Sequence, residues 1–160
     1  MAVRSPMQWS EQENGGFSGA PPDQLKRPPT AGAYGPEHVN VASQRPDPDS
    51  LLSFMRSLVR AYRESPELGW AELHVLKQPH VEVLAHECRW DDRRLLLVHN
   101  LGPEPRRVSL QIEGGDGIDL VDVLGEAPCT LDADGTVHVE LDGYGFRWLR
   151  LSPVGTKRIW

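Results

Sequence analysis

The sequence predicts a mainly β protein: a C-terminal antiparallel β-sandwich preceded by a long loop and one α-helix. Three observations carry this. Residues 1–47 are crowded with Pro and Gly and show no apolar periodicity. Residues 51–62 repeat apolar side chains at helical spacing. From about Trp70 onward the period falls to two, with turn residues between short runs.

The loop comes first. Gly15-Gly16, Pro21-Pro22, Pro28-Pro29 and Gly35-Pro36 punctuate it. A stretch this long without regular structure is uncommon in a compact domain and is usually functional or disordered. It is no plain linker, because Trp9, Phe17, Leu25, Tyr34, Val39 and Val41 are spread along it. The loop reads as one that packs on something else, and residues 10–47 are expected to be disordered without that support.

Pro46, Asp47, Pro48 and Asp49 mark the start of the helix, with Asp49 or Ser50 as its N-cap. Leu51, Leu52, Met55, Leu58, Val59 and Tyr62 form one apolar stripe. Arg56, Arg60 and Arg63 lie on or near the other side, and Arg63 suits the negative end of the helix dipole. Ser65-Pro66 ends the helix, and its stripe must face a partner.

The β region then runs to the end. Leu73 and Val75, then Val81, Val83 and Ala85, alternate with polar residues around a turn at Gln78-Pro79-His80. Leu95-Leu96-Leu97-Val98 is a continuous apolar run, as in a central strand buried on both faces, and Asp91-Asp92 turns into it. Val108, Leu110 and Ile112 alternate up to a stop at Gly114-Gly115-Asp116-Gly117. Leu120 to Val123, Leu131, Val137 to Leu141 and Phe146 to Leu149 give three or four more strands, with Asp134-Gly135 as a hairpin signal. Such spacing reads as a sandwich or a small barrel. The expected organisation is 1–66 for loop and helix, 67–152 for the β domain and 153–160 for a mobile tail.

Composition narrows the function. The chain has 160 residues and a formal net charge of −6. An acidic chain whose Arg pairs are only Arg93-Arg94 and Arg106-Arg107 is not built for nucleic acid or an anionic membrane. No apolar run approaches the ~20 residues of a membrane span. No basic-then-apolar leader opens the chain, so Cys88 and Cys129 are expected as reduced thiols in a cytoplasmic protein.

No phosphate loop, Cys-x-x-Cys or His-Glu-x-x-His occurs. His74, His80 and His86 are spaced by six, but Pro79 splits the segment, and they read as surface or packing residues. His99 reads as a satisfied core histidine rather than a base. Tyr144-Gly145-Phe146-Arg147-Trp148 could meet a sugar face, although core aromatics in a last strand explain it as well. No Ser/His/Asp arrangement can be argued from spacing. The opening stretch RSPMQW is different. Arg4 offers a fixed fork of donors, Gln8 both donates and accepts, and Trp9 adds a flat apolar face with one N–H.

RSPMQW, with NGGFS from Asn14 to Ser18 after it, resembles the Arg-Thr-Pro-Met-Gln-Trp…Gly-Phe signature of the α-amylase superfamily, glycoside hydrolase family 13. The stretch from Tyr34 to Gly69 resembles the next segment of those enzymes, with Val39-Asn40-Val41, Gln44, the Asp-Ser-Leu-Leu helix start and Pro-Glu-Leu-Gly. LLLVHNLGPEP and LDGYGFRWLRL are similar to strands of the family's C-terminal sheet domain, in trehalose synthases especially. The resemblance covers roughly residues 3 to 151.

The resemblance implies that residues 1–66 are the tail end of a (β/α)8 catalytic barrel, its late loop and last helix, with the stripe packed on the barrel. Family members transfer or hydrolyse α-glucosyl units by a retaining mechanism that needs a carboxylate nucleophile, an acid/base and a further Asp. The motifs bearing those groups are not in this sequence, and Glu11, Glu13 and Asp23 do not match them. Arg4 would bind the terminal glucose in the innermost subsite, with Gln8 and Trp9 as weaker candidates. Ser5 stands where the family usually has Thr. The implied ligand is an α-glucoside such as maltose or trehalose, met through the barrel. No catalytic residue, metal or cofactor is expected in the chain itself. The expectation is therefore a C-terminal fragment, inactive alone. The alternative is a stand-alone β module that binds α-glucan or a partner protein.

Overall fold

The computed structural model describes residues 4–114, 118–125 and 129–153. The chain divides into two compact units, Met1–Val59 and Arg60–Trp160. The divide falls inside the helix.

The first unit contains no described strand. It is built from 3-10 turns at Glu13–Gly16, Pro22–Gln24 and Gly32–Tyr34, the one-turn helix α1 (Val41–Gln44) and most of helix α2 (Leu51–Arg63). Its described buried residues are Asn14, Gly15, Gly35, Asn40 and Ser50. Polar groups and backbone, not apolar side chains, therefore hold it together. Asn14 and Gly15 take left-handed backbone, with φ of 58° and 66°. Asn is one of the few side chains that tolerate it. The Asn14 amide then donates to the carbonyls of Ser18 (3.0 Å) and Ala20 (2.7 Å). Asn40 caps α1 by accepting from the Ser43 N–H at 2.8 Å and donates to the Pro36 carbonyl. Residues 10–47, expected to be disordered, are here closed into turns by the segment's own polar side chains.

Helix α2 starts where the sequence places it. Ser50 Oγ accepts from the Ser53 N–H, and Gln44 Oε1 accepts from the Leu52 N–H, so two otherwise orphaned donors of the first turn are met. The stripe stays open. Leu51 is 69% exposed, and Met55, Val59 and Tyr62 are exposed with it.

In the second unit, Pro66 leads into a short helix not read from the sequence, α3 (Glu67–Trp70). Among the described residues eight strands come after it: β1 (Glu72–Val75), β2 (Val83–Trp90), β3 (Arg93–Asn100), β4 (Arg106–Gln111), β5 (Ile118–Asp122), β6 (Thr130–Leu131), β7 (Thr136–Leu141) and β8 (Phe146–Pro153). They form a five-stranded sheet, β1-β2-β3-β8-β5, and a three-stranded sheet, β4-β7-β6. Every pairing is antiparallel. One apolar core joins the two sheets: Val83, Ala85, Leu96, Val98, Leu149 and Leu151 from the first meet Val108, Leu110, Val137, Val139 and Leu141 from the second. The fold is thus the sandwich the alternation predicts.

Strand β3 sits at the centre of its sheet, and Leu95 to Val98 are all buried. Leu96 and Val98 enter the sandwich core. Leu95 and Leu97, on the other face, pack with Cys88, Trp148, Val123, Leu68 and Ala71. The fully buried Glu67 fastens α3 over that outer face by accepting from Arg150 Nε and Nη2 at 3.2 and 3.1 Å. The hairpin at Asp134-Gly135 joins β6 to β7, with Gly135 at φ 82° and its N–H on the Asp132 carbonyl. Val81 departs from the expected alternation. It is 99% exposed, because β2 begins only at Val83. The stop after Gly114 falls partly at residues 115–117, and the tail expected at 153–160 falls mostly at 154–160; both lie outside the described residues. Pro153 closes β8.

Candidate functional site

The opening segment, residues 4–9, forms neither helix nor strand. Arg4 is exposed, and its carbonyl accepts from Arg27 Nη1 at 3.3 Å. Trp9 is 50% exposed. Its backbone N–H donates to the Gly15 carbonyl at 2.7 Å, and its own carbonyl accepts from Ala42. Arg4 and Trp9 are thus both exposed on one short segment. Gln8 differs from both. It is half-buried, and its side-chain nitrogen donates to the carbonyls of Tyr34 and Val39. Beyond the segment, Gln12, Glu13, Gly16, Phe17, Ser18 and Gly19 line a shallow open hollow. Asn14, which organises the reversal, does not stand out in the sequence as a site residue. Its signal is an Asn ahead of two glycines, a pattern that favours left-handed backbone.

In the second unit, Tyr144 sits in the turn before β8 at φ 57° and is 69% exposed, while Trp148 packs on the outer-face cluster. The aromatic stretch therefore splits: one ring faces water and one serves the core. Burial pushes the His86 imidazole below its ordinary value. His99, stacked on it with ring centroids 6.2 Å apart, is lowered by burial and by His86. Both imidazoles favour the neutral form. Burial, then the carboxylates of Glu67 and Glu87, push the Cys88 thiol up, which is the opposite of an activated nucleophile. His74 and His86 cannot share an ion. Strand register sets His74 opposite Glu87 and His86 opposite Val75, so the two point to opposite faces. Among the described residues no group of three or more His, Cys, Asp or Glu could hold a metal.

One constellation escapes any spacing argument. Ser109 Oγ lies 2.9 Å from His138 Nδ1, and His138 Nε2 lies 3.0 Å from Asp132 Oδ2. Ser109 and His138 are directly opposed in the β4–β7 register, on the solvent face of the smaller sheet. Their neighbours on that face, Gln111 with Thr136 and Arg107 with Glu140, are tied in the same way. The arrangement is one rung of a polar cross-strand ladder.

Known proteins share this fold. Residues 93–150 match the sucrose hydrolase-like C-terminal domain. Among curated relatives, the trehalose synthase of Thermus thermophilus is 33% identical over 154 residues, covering 95% of this chain and 16% of that protein. The trehalose synthase/amylase TreS of Mycobacterium tuberculosis is 32% identical over 154 residues, covering 94% of the chain and 26% of that protein. Among solved structures, trehalulose synthase MutB of Pseudomonas mesoacidophila MX-45 superposes with a TM-score of 0.67 at 25% identity, over 93% of this chain and 25% of that one. The sandwich is thus a C-terminal β domain of the sucrose hydrolase-like kind. Over nearly its whole length the chain is similar to the C-terminal region of α-amylase superfamily (glycoside hydrolase family 13) enzymes, trehalose synthases among them. It spans about a quarter or less of the length of those relatives. None of the described helices is long and apolar enough to cross a membrane.

Proposed function

We propose that this chain is the C-terminal part of an enzyme that interconverts or hydrolyses α-glucosides, maltose and trehalose foremost. Three carboxylates of a retaining mechanism come from outside it, so the chain alone does not turn over sugar. Its first unit contributes Arg4 to the innermost glucose subsite, where the guanidinium fork grips a carboxylate or paired hydroxyls, with Trp9 as a weaker candidate for the same site. Its second unit is a structural domain. The observation that carries this reading is the exposure of Arg4 and Trp9 on one short segment, in a chain similar over nearly its whole length to trehalose synthases. The unpaired thiol of Cys88 fits a reducing, cytoplasmic setting.

The test is direct. The 160-residue protein is incubated with maltose and with trehalose, and products are separated by anion-exchange chromatography. No interconversion and no glucose is the expected result; turnover of either sugar would sink the assignment of the carboxylates elsewhere. A second reading is favoured by Tyr144, an exposed ring held at positive φ. It makes the sandwich a stand-alone module that binds α-glucan. Calorimetric heat with maltooligosaccharides that vanishes in Tyr144→Ala would favour it over the first.

A further inference from the structure

We infer that Gln8 is a positioning residue: it fastens the segment that presents Arg4 and Trp9 and does not itself meet the sugar. The inference rests on the function proposed above and assigns a role within that site.

Both hydrogens of the Gln8 side-chain nitrogen are committed, to the Tyr34 carbonyl at 3.1 Å and the Val39 carbonyl at 2.5 Å. These acceptors lie 26 and 31 residues away, and no periodic element connects them to Gln8. Its backbone carbonyl accepts from the Val41 N–H at 3.0 Å, and the next carbonyl, of Trp9, accepts from Ala42 at 3.0 Å. From the other side, the Gly15 carbonyl takes the N–H groups of Trp9 and Ser10. Gly15 is pressed against the same side chain: a Cβ there would lie 3.4 Å from Gln8 Cα, 3.5 Å from its Cγ and 3.5 Å from Pro36 Cβ. Three stretches of the loop, 4–10, 14–16 and 34–42, therefore meet at one residue.

This unit has no large apolar side chain among its described buried residues, so hydrogen bonds must do the holding. A glutamine fits because its flat amide supplies two donors at the end of a chain long enough to cross to the 34–39 turn. With both donors committed, and with its Oε1 unpartnered but sealed from solvent, the side chain presents no group to a ligand at the surface, while its neighbours Arg4 and Trp9 stay exposed.

Amide exchange on the 160-residue protein decides the matter, with the strands of the sandwich as internal reference. Native protein is compared with Gln8→Glu and Gln8→Met between pH 7 and pH 4, at the amides of Trp9, Ser10, Val41 and Ala42. Ionised glutamate sets oxygen against two carbonyls; once protonated it donates again. Gln8→Glu is expected to lose protection at these four amides at pH 7 by roughly tenfold or more, and to regain it as its carboxyl protonates. Gln8→Met, which keeps the length but no donor, is expected to lose protection at every pH. The regain is the signature that a mere volume effect lacks. Native-like protection in both variants at all pH values would overturn the inference, as would a native protein with no protection at these amides. Sugar turnover plays no part in the readout, so a chain found active on maltose would refute the proposed function and leave the Gln8 result standing.

Discussion

Glu67 and Glu87 are both sealed from solvent, and each is met by arginine. Glu67 receives Arg150, which also reaches Ser65 Oγ at 2.6 Å. Removing one partner leaves a buried charge without its counter-ion, the costly case for such pairs. Arg150→Met, which strands the buried Glu67 carboxylate, is therefore expected to lower unfolding stability by about 3 kcal/mol in urea titration; a loss under about 0.5 kcal/mol would mean the pair holds nothing. The imidazoles of His86 and His99 set a pH dependence. Both are held below their ordinary value by burial, so the unfolded chain binds more protons than the folded one. Stability from these groups is full above about pH 6.5 and is lost as pH falls through their lowered folded values. Chemical denaturation at stepped pH is expected to show that decline, and a double variant, His86→Gln with His99→Gln, is expected to flatten it. At this scale the residue types of Arg4 and Trp9 are legible as recognition chemistry, whereas the contacts of Gln8 are not. Nothing local in RSPMQW announces that its amide is committed to carbonyls 26 and 31 residues away.

Among elements, β3 is the most readable, because four consecutive apolar residues bounded by turns suit a strand covered on both faces, and Leu95 to Val98 are all buried. Leu96→Ala would empty a fully buried site and is expected to cost about 2–5 kcal/mol. Helix α2 is legible too, since its cap chemistry and stripe are both local. Ser50→Ala should cost about 1 kcal/mol as its cap is lost. Two features stay hidden: α3, a single turn too short for periodicity to show, and the turns of the first unit, whose order comes from side-chain amides rather than from any repeat. The Ser109–His138–Asp132 rung is hidden for a related reason: cross-strand neighbours are set by register, which spacing along one chain does not give. The open stripe of α2 has its own consequence. Exposed Leu51, Met55, Val59 and Tyr62 form the kind of surface that associates in water. Sedimentation velocity is expected to show self-association of the 160-residue protein that a Met55→Glu, Val59→Lys variant relieves without loss of sandwich stability.

At the scale of the whole molecule, the two units differ in what holds them. The sandwich has a continuous apolar core and buried ion pairs. The opening unit is closed by amide groups and leaves its apolar helix face exposed. A unit of that kind is expected to rest on a larger body, and the curated relatives extend well beyond the stretch this chain matches. The most direct test is the intact mass of the native polypeptide from its source cells, detected through the sandwich. A mass several times 17.9 kDa is the expected result, and it would make RSPMQW half of a sugar pocket whose carboxylates lie upstream. A mass of 17.9 kDa would contradict the account, since the cell would then make a protein with Arg4 and Trp9 displayed but no barrel to complete them.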